Sequence, residues 1–198
     1  MRITYTEIEL DALRELANVG AGTAATALSL LLGTPINVTV PSVAVLPIAA
    51  AIAATGSADL CVTGVAIAID GDLCATALMF FPEDDAATLC GLLGLSADSE
   101  YAASALDEVV NILCASYLGA LAEMTGLNLA IGPPDQVVDR LGSITGSILA
   151  MTATTGAGEV ALLLDSTLII EGRACSLSFL LITSAVGVDD LLAQLGLG

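Results

Sequence analysis

Two segments of the chain place hydrophobic residues with the spacing of an α-helix, and each leaves one polar face. The segments run over 13–33 and 106–126, and they align at an offset of 93 residues. Leu, Ala, Val and Ile dominate both, as expected of a helix with one buried face. Each ends in a glycine that suits a helix C-terminus. The pattern therefore predicts two long helices of similar design.

The polar face of each helix carries one motif, Asp/Ser-x3-Glu-x2-Asn, with a proline 23 positions after the asparagine. The two copies consist of Asp11, Glu15, Asn18 and Pro41, and of Ser104, Glu108, Asn111 and Pro134. The three helical positions lie within roughly 60° of one another on one side of the helix. Any amphipathic helix has a polar side, but two copies in register indicate an internal duplication.

The remainder of each half repeats one order of elements. A short apolar stretch with the aligned proline follows each helix, at 34–43 and 127–137. Two strand-like runs come next, with short glycine-containing links that are typical of β-hairpins. These pairs of runs are 60–69 with 73–81 and 159–170 with 173–182. Each half then closes on a helix-like run that ends in Leu-Gly-Leu, at 93–95 and 195–197.

The duplication predicts a single domain, 1–198, made of two repeats over about 5–97 and 98–198. A chain of this length can bury a substantial core. Each repeat is interpreted as helix, strand, hairpin and helix. The Gly/Ser/Thr-rich segment 142–158 is not assigned to any element.

The net charge of the chain argues against two classes of binding partner. The chain has no Lys, no His, four Arg and 22 acidic residues, for a net charge of −18. Nucleic acids and anionic membrane surfaces both require basic patches, so this charge argues against both. Such self-repulsion is tolerable where salt screens it over a few Å, which suggests a halophilic cytoplasm. An ordinary acidic protein is the alternative.

Hydropathy by itself could suggest a membrane span near 21–40 or 43–54. Glycines and prolines interrupt the first window, the second is too short, and neither has flanking Lys or Arg. The amino terminus becomes acidic within its first ten residues, unlike a signal peptide. We therefore expect a soluble, cytoplasmic protein without a membrane partner.

The cysteines and glycines do not indicate a self-contained catalytic site. None of the five cysteines forms a C-x-x-C pair, and we expect them to be small buried hydrophobic residues. Without His, neither a Cys nucleophile with a His partner nor a Ser-His-Asp triad can form. Gly20 and Gly22 resemble a phosphate loop only weakly, since no strand precedes them and no Lys follows. Close helix packing or a local kink explains them better.

The Glu and Asn of the motif do not form a complete catalytic site by themselves, so a reaction that uses them requires groups from a partner molecule. The Asn amide can donate and accept hydrogen bonds and so orient a water, as a Gln does in GTPases. The Glu can pair with a cation that another molecule supplies. A helix that delivers these groups into another protein's active site points to hydrolysis of a phosphoryl group on that protein.

On these residues, the chain resembles the CheC family of chemotaxis phosphatases, which includes CheX and FliY. Both copies match the family signature D/S-x3-E-x2-N-x22-P in full, and the resemblance covers about residues 5–197. Two intact copies favour CheC over CheX, which typically carries one. The absence of the additional carboxy-terminal domain of FliY favours CheC over FliY.

The resemblance implies an α+β fold, a pseudo-two-fold duplication with a mostly antiparallel central sheet and two long motif-bearing helices. It implies a CheY-phosphate phosphatase in which Asn18 and Asn111 position the water and Glu15 and Glu108 pair with the Lys of CheY. Asp11 and Ser104 would have an orienting role, and Pro41 and Pro134 would support the site. No cofactor of its own is expected, because CheY would bind the Mg²⁺.

The receptor deamidase CheD is a second partner that the resemblance implies. The alternative function is therefore a weakly catalytic or non-catalytic adaptor that binds and regulates CheD. The absence of Lys puts in doubt any CheD contact that uses basic residues elsewhere in the family.

Overall fold

A computed structural model describes residues 4–96, 99–155, 160–170 and 172–197. The elements of the first half are α1 (Glu7–Leu32), β1 (Ile36–Pro47), α2 (Ile48–Thr55), β2 (Cys61–Gly71), β3 (Ala75–Pro82) and α3 (Glu83–Leu92). The second half repeats their order with α4 (Ala102–Thr125), β4 (Leu129–Arg140), α5 (Leu141–Thr155), β5 (Val160–Ile170), β6 (Arg173–Thr183) and α6 (Ala185–Gln194).

The six strands form one sheet in the order β1-β5-β6-β3-β2-β4. Its five strand pairings are all antiparallel. Exchanging β1 with β4, β2 with β5 and β3 with β6 reverses this order, so the two-fold relation between the halves passes between β3 and β6. The α+β class, the antiparallel sheet and the pseudo-two-fold duplication predicted from the sequence are confirmed.

The strands alternate their side chains between two hydrophobic cores, as the period of two in a β-strand requires. In β3, Ala77, Met79 and Phe81 join one core, and Leu78 and Phe80 join the other. The first core also takes residues from α1, α3, α4 and α6. The second takes residues from α2 and α5. The sheet is therefore the middle layer between two layers of helices.

The two long helices end at the predicted glycines, but they begin at Glu7 and Ala102, before the segments predicted from 13 and 106. At the start of α1, Thr6 and Glu9 form a capping box, in which the Glu9 carboxylate accepts from the Thr6 N–H at 2.7 Å. Gly33 and Gly126 follow the helices with φ of 65° and 75°, a left-handed conformation that favours glycine. Length and composition alone would allow α1 and α4 to cross a membrane. Here each packs against the other helix and the sheet.

Gly20 lies where α1 and α4 approach each other. A Cβ there would lie 2.7 Å from Cδ1 and 2.8 Å from Cα of Tyr117, so only glycine permits this contact. The packing interpretation is thus confirmed for Gly20. It is wrong for Gly22, which has no atom within 4 Å of such a Cβ, because it faces away from α4.

Two helices were missed from the sequence. α2 follows Pro47 and is rich in alanine, and α5 begins at Leu141 and covers residues 142–155 of the unassigned segment. Residues 156–158 of that segment lie outside the described residues. Three cysteines are buried as predicted, namely Cys90, Cys114 and Cys175. The prediction is wrong for Cys74, which is exposed because β3 begins one residue later, and Cys61 is half-buried.

Candidate functional site

The first motif lies on the solvent side of α1. Asp11, Glu15 and Asn18 are all exposed, and the opposite side of the helix buries Leu13 and Leu16 in the core. The helical period thus separates the polar face from the packed face, as predicted. Asp11 is held by a salt bridge from Arg14 one turn later. Pro41 lies in β1, the strand that follows α1.

The second motif has the same placement on α4. Ser104, Glu108 and Asn111 are exposed, while Val109 and Leu113 point into the core. Both predicted helices therefore deliver a carboxylate and a carboxamide to the surface, one turn apart.

An open groove of about 660 Å³ brings the second motif together with its proline. Glu108 and Asn111 from α4 line it, and Pro134 from β4 faces them across it. Ser104 does not line this groove. The other lining residues are Ile112, Ala115, Ile131, Gly132 and Pro133. The spacing in sequence therefore becomes proximity in space at the second site.

A β-bulge shapes the strand at both motif prolines. Ile69 of β2 pairs with Ile131, and Ile67 pairs with Pro134, so β4 holds one extra residue between these pairs. In the same way, β1 holds one extra residue between Thr39 and Ser42, where Pro41 lies. A bulge leaves backbone groups outside the ladder and re-aims side chains. Pro41 lies within the bulge of β1, whereas Pro134 is the paired residue that follows the bulge of β4. A proline, which has no N–H to donate, is tolerated at both places because β1 and β4 are the edge strands of the sheet.

The electrostatic character of the site is acidic. At the second motif, Asp107 and Glu108 are adjacent on α4, and burial raises the pKa of the Asp107 carboxyl. Among the described residues, no group of three or more His, Cys, Asp or Glu side chains could hold a metal ion. The groove can therefore present oxygen acceptors and one amide to a docked molecule.

Sequence reasoning did not identify the apolar wall of the groove. Ile112 and Ala115 follow Asn111 by one and four positions, so helical geometry places Ala115 on the same side, one turn on. Ile131 comes from β4 and is 40% exposed. Ile131 lies three residues before Pro134, and the regular alternation of a strand would place these two residues on opposite sides. Both line the groove because the extra residue of the bulge lies between them.

Comparison with known proteins identifies relatives of the chain. The model of the CheC-like family matches residues 8–45 and 102–138, which hold both motif copies. The protein named CheY-P phosphatase CheC from Bacillus subtilis (strain 168) is 30% identical over 170 residues. That similarity covers 82% of this chain and 80% of the relative.

Solved structures share the fold. Thermotoga maritima FliY matches with a TM-score of 0.79 at 22% identity, covering 98% of this chain and 98% of the other. The FliM middle domain from H. pylori matches with a TM-score of 0.68 at 11% identity, covering 96% of this chain and 99% of the other. At these identities the likeness extends to the fold alone.

Proposed function

This chain belongs to the CheC-like family, and on that premise we propose that it accelerates hydrolysis of the phosphoaspartate of a CheY-type response regulator. The 30% identical relative named CheY-P phosphatase supports the assignment. Both motif copies lie within the segments that match the family model. The same resemblance leads us to propose a cytoplasmic location and CheD as a second partner.

The observation that carries this proposal is the shared groove of Glu108 and Asn111. The Asn111 carboxamide has N–H donors and a carbonyl acceptor, so it can hold a water in line with a phosphoryl group that a partner brings. Holding the attacking water in place removes much of the entropic cost of the reaction. Glu108, one turn away, would accept hydrogen bonds from the active-site Lys of the regulator.

The first site would act in the same way through Glu15 and Asn18. Asp11 and Ser104 would orient the two helices toward the partner, and the regulator would bring both the phosphoaspartate and the Mg²⁺. Phosphoryl transfer depends mainly on positioning and charge stabilisation. A helix that adds one amide can therefore accelerate it without a nucleophile of its own.

The test is the decay of a phosphorylated CheY-type regulator from the same organism with catalytic amounts of each variant. We expect Asn18→Ala and Asn111→Ala each to retain part of the acceleration. The double variant should lose about 100-fold, the loss that follows when a reacting group is misplaced. Asn37→Ala is the matched control, because this asparagine is exposed on β1 outside both motifs.

Acceleration that survives in the double variant would show that the asparagines do not position the water. Tight binding to CheD without faster decay by the unmodified protein would instead favour the adaptor function.

A further inference from the structure

The position four residues before each motif asparagine differs in charge between the two repeats. It is occupied by Arg14 in α1 and by Asp107 in α4, which correspond at the offset of 93 residues. Residues four apart on a helix are neighbours, with Cβ atoms about 6 Å apart. Each charge therefore flanks the asparagine of its own site, and the two sites differ by two charge units at one place.

At the first site, the cation is held in place on the helix. Nη1 of Arg14 donates to Oδ1 of Asp11, and the two side chains are 42% and 65% exposed. The Nε of Arg14 is buried and has no acceptor. Arg carries five N–H donors in a planar fork that matches a carboxylate. The buried Nε cannot reach a docked protein, but the side chain is 42% exposed, so its other N–H groups remain available to an acidic group on that protein.

At the second site, the same position presents an acceptor. Oδ1 of Asp107 is buried and has no donor. Ser104 stands where the first site has Asp11, so this helix face has no matching ion pair. A docked protein can reach only the accessible part of this half-buried carboxylate, which lies next to exposed Glu108. Two adjacent negative charges without an ion-pair partner among the described residues suit a Lys or Arg on a docked protein.

The second site also exposes more apolar surface beside the motif. Ile131 and Val138 of β4 are 40% and 63% exposed. Their counterparts in β1, Val38 and Val45, are 7% and 8% exposed and belong to the core. The two repeats therefore share their motif but differ in the surface around it.

We propose that Arg14 and Asp107 determine partner specificity. The first site prefers a regulator that presents a carboxylate to Arg14, and the second prefers one that presents Lys or Arg to Asp107. This inference rests on the proposed function, because it takes the regulator to dock on both motifs in the same orientation. It follows that a cell with several regulators can use the two sites for different ones.

Single-site proteins test the proposal with one regulator. The Asn111→Ala protein keeps only the first site active, and Arg14→Asp is added to it. The Asn18→Ala protein keeps only the second site active, and Asp107→Arg is added to it. Decay of a CheY-type regulator charged with acetyl phosphate gives KM and kcat, at the lowest salt that keeps the circular dichroism spectrum intact. Any one regulator presents the same charge to both sites. The two swaps should therefore change KM in opposite directions, by about three- to tenfold, with kcat within about twofold.

Salt and neutral variants are the controls. Near 1 M KCl, where the screening length is about 3 Å, the KM changes should shrink. Arg14→Gln and Asp107→Asn should give smaller shifts of the same sign, and they replace any swap that fails to fold. Shifts in the same direction, or no shift in either protein, would overturn the proposal.

The proposed function can fail separately. If neither single-site protein accelerates decay, that function is wrong, and the swaps are then measured as Kd for the regulator in its beryllofluoride form. Opposite shifts in Kd would still support charge selection at the two sites, and unchanged Kd values would reject it.

Discussion

Gly20 and Gly22 lie two residues apart in α1, and we expect the same substitution to change stability in opposite directions. Gly22 is exposed, and a Cβ there meets no atom within 4 Å. Glycine inside a helix costs roughly 0.5–1 kcal/mol relative to alanine, because its backbone loses more freedom on folding. Gly22→Ala should therefore raise the free energy of unfolding by about that amount.

At Gly20 the helix-propensity gain is outweighed by a clash. The new Cβ would lie 2.7 Å from Cδ1 and 2.8 Å from Cα of Tyr117, whereas carbon atoms pack at about 3.5–4.0 Å. Tyr117 cannot move aside easily, because its hydroxyl hydrogen-bonds Ser166 at 3.2 Å and its ring packs on Phe179. Over-packing of this kind costs about 1–3 kcal/mol. The net effect should be a loss of about 1–2 kcal/mol.

Equilibrium unfolding in urea, followed by circular dichroism, measures both variants without adding ions to a highly charged protein. The two should differ by about 2 kcal/mol in free energy of unfolding. Gly119→Ala is the matched control on α4, because that site is also exposed and open, and it should behave like Gly22→Ala. A Gly20→Ala protein as stable as Gly22→Ala would refute the close α1–α4 contact.

Two further predictions concern ionisable groups. The N–H and side-chain amide of Asn128 donate to Asp72 at 2.8 and 3.1 Å and lower the pKa of its carboxyl below 3.8. The ionised Asp72 carboxylate therefore stabilises the folded protein above its unfolded pKa, and this contribution is lost as pH falls through the folded pKa. Asp72→Ala should lower the urea midpoint at neutral pH but not in strong acid. Burial raises the pKa of the Cys114 thiol from 9.0 to about 12. Because the thiol of the unfolded chain ionises first, the free energy of unfolding should fall as pH rises through this range. At pH 8 a thiol reagent should modify exposed Cys74 first and Cys114 only after unfolding; a fast phase that persists in Cys74→Ser would contradict this.

The duplicated pattern predicted most of the fold because the long elements are strongly amphipathic. The helical period around Glu15 and Glu108 and the two hairpins are local signals. The single antiparallel sheet that joins the two repeats was expected from the resemblance to the CheC family. α2 and α5 do not give comparable signals. α2 has eight residues, and α5 contains Gly and many β-branched residues that form helices weakly. Packing on the second face of the sheet stabilises both, and a single segment of sequence does not contain that information.

The sequence predicted only the part of the candidate site that lies on a single helix. The face of α4 with Glu108 and Asn111 follows from its own periodicity. The groove opposite depends on how closely the neighbouring strand packs, and the repeats differ there. Val38 of β1 is buried, and its counterpart Ile131 is exposed. Both are β-branched residues of similar size, so their own identities do not distinguish a closed contact from an open groove.

The constant distance from asparagine to proline follows from the dimensions of a helix and a strand. From Asn111 the chain continues along α4 to Thr125, about 21 Å at 1.5 Å per residue. It then returns along β4 from Leu129 to Pro134, about 17 Å at 3.3 Å per residue. The proline therefore arrives within about one helical turn of the asparagine. Removing one residue between α4 and β4 would slip the strand and turn Pro134 to the other face of the sheet. The number of residues between Asn111 and Pro134 is therefore what brings the proline into the groove.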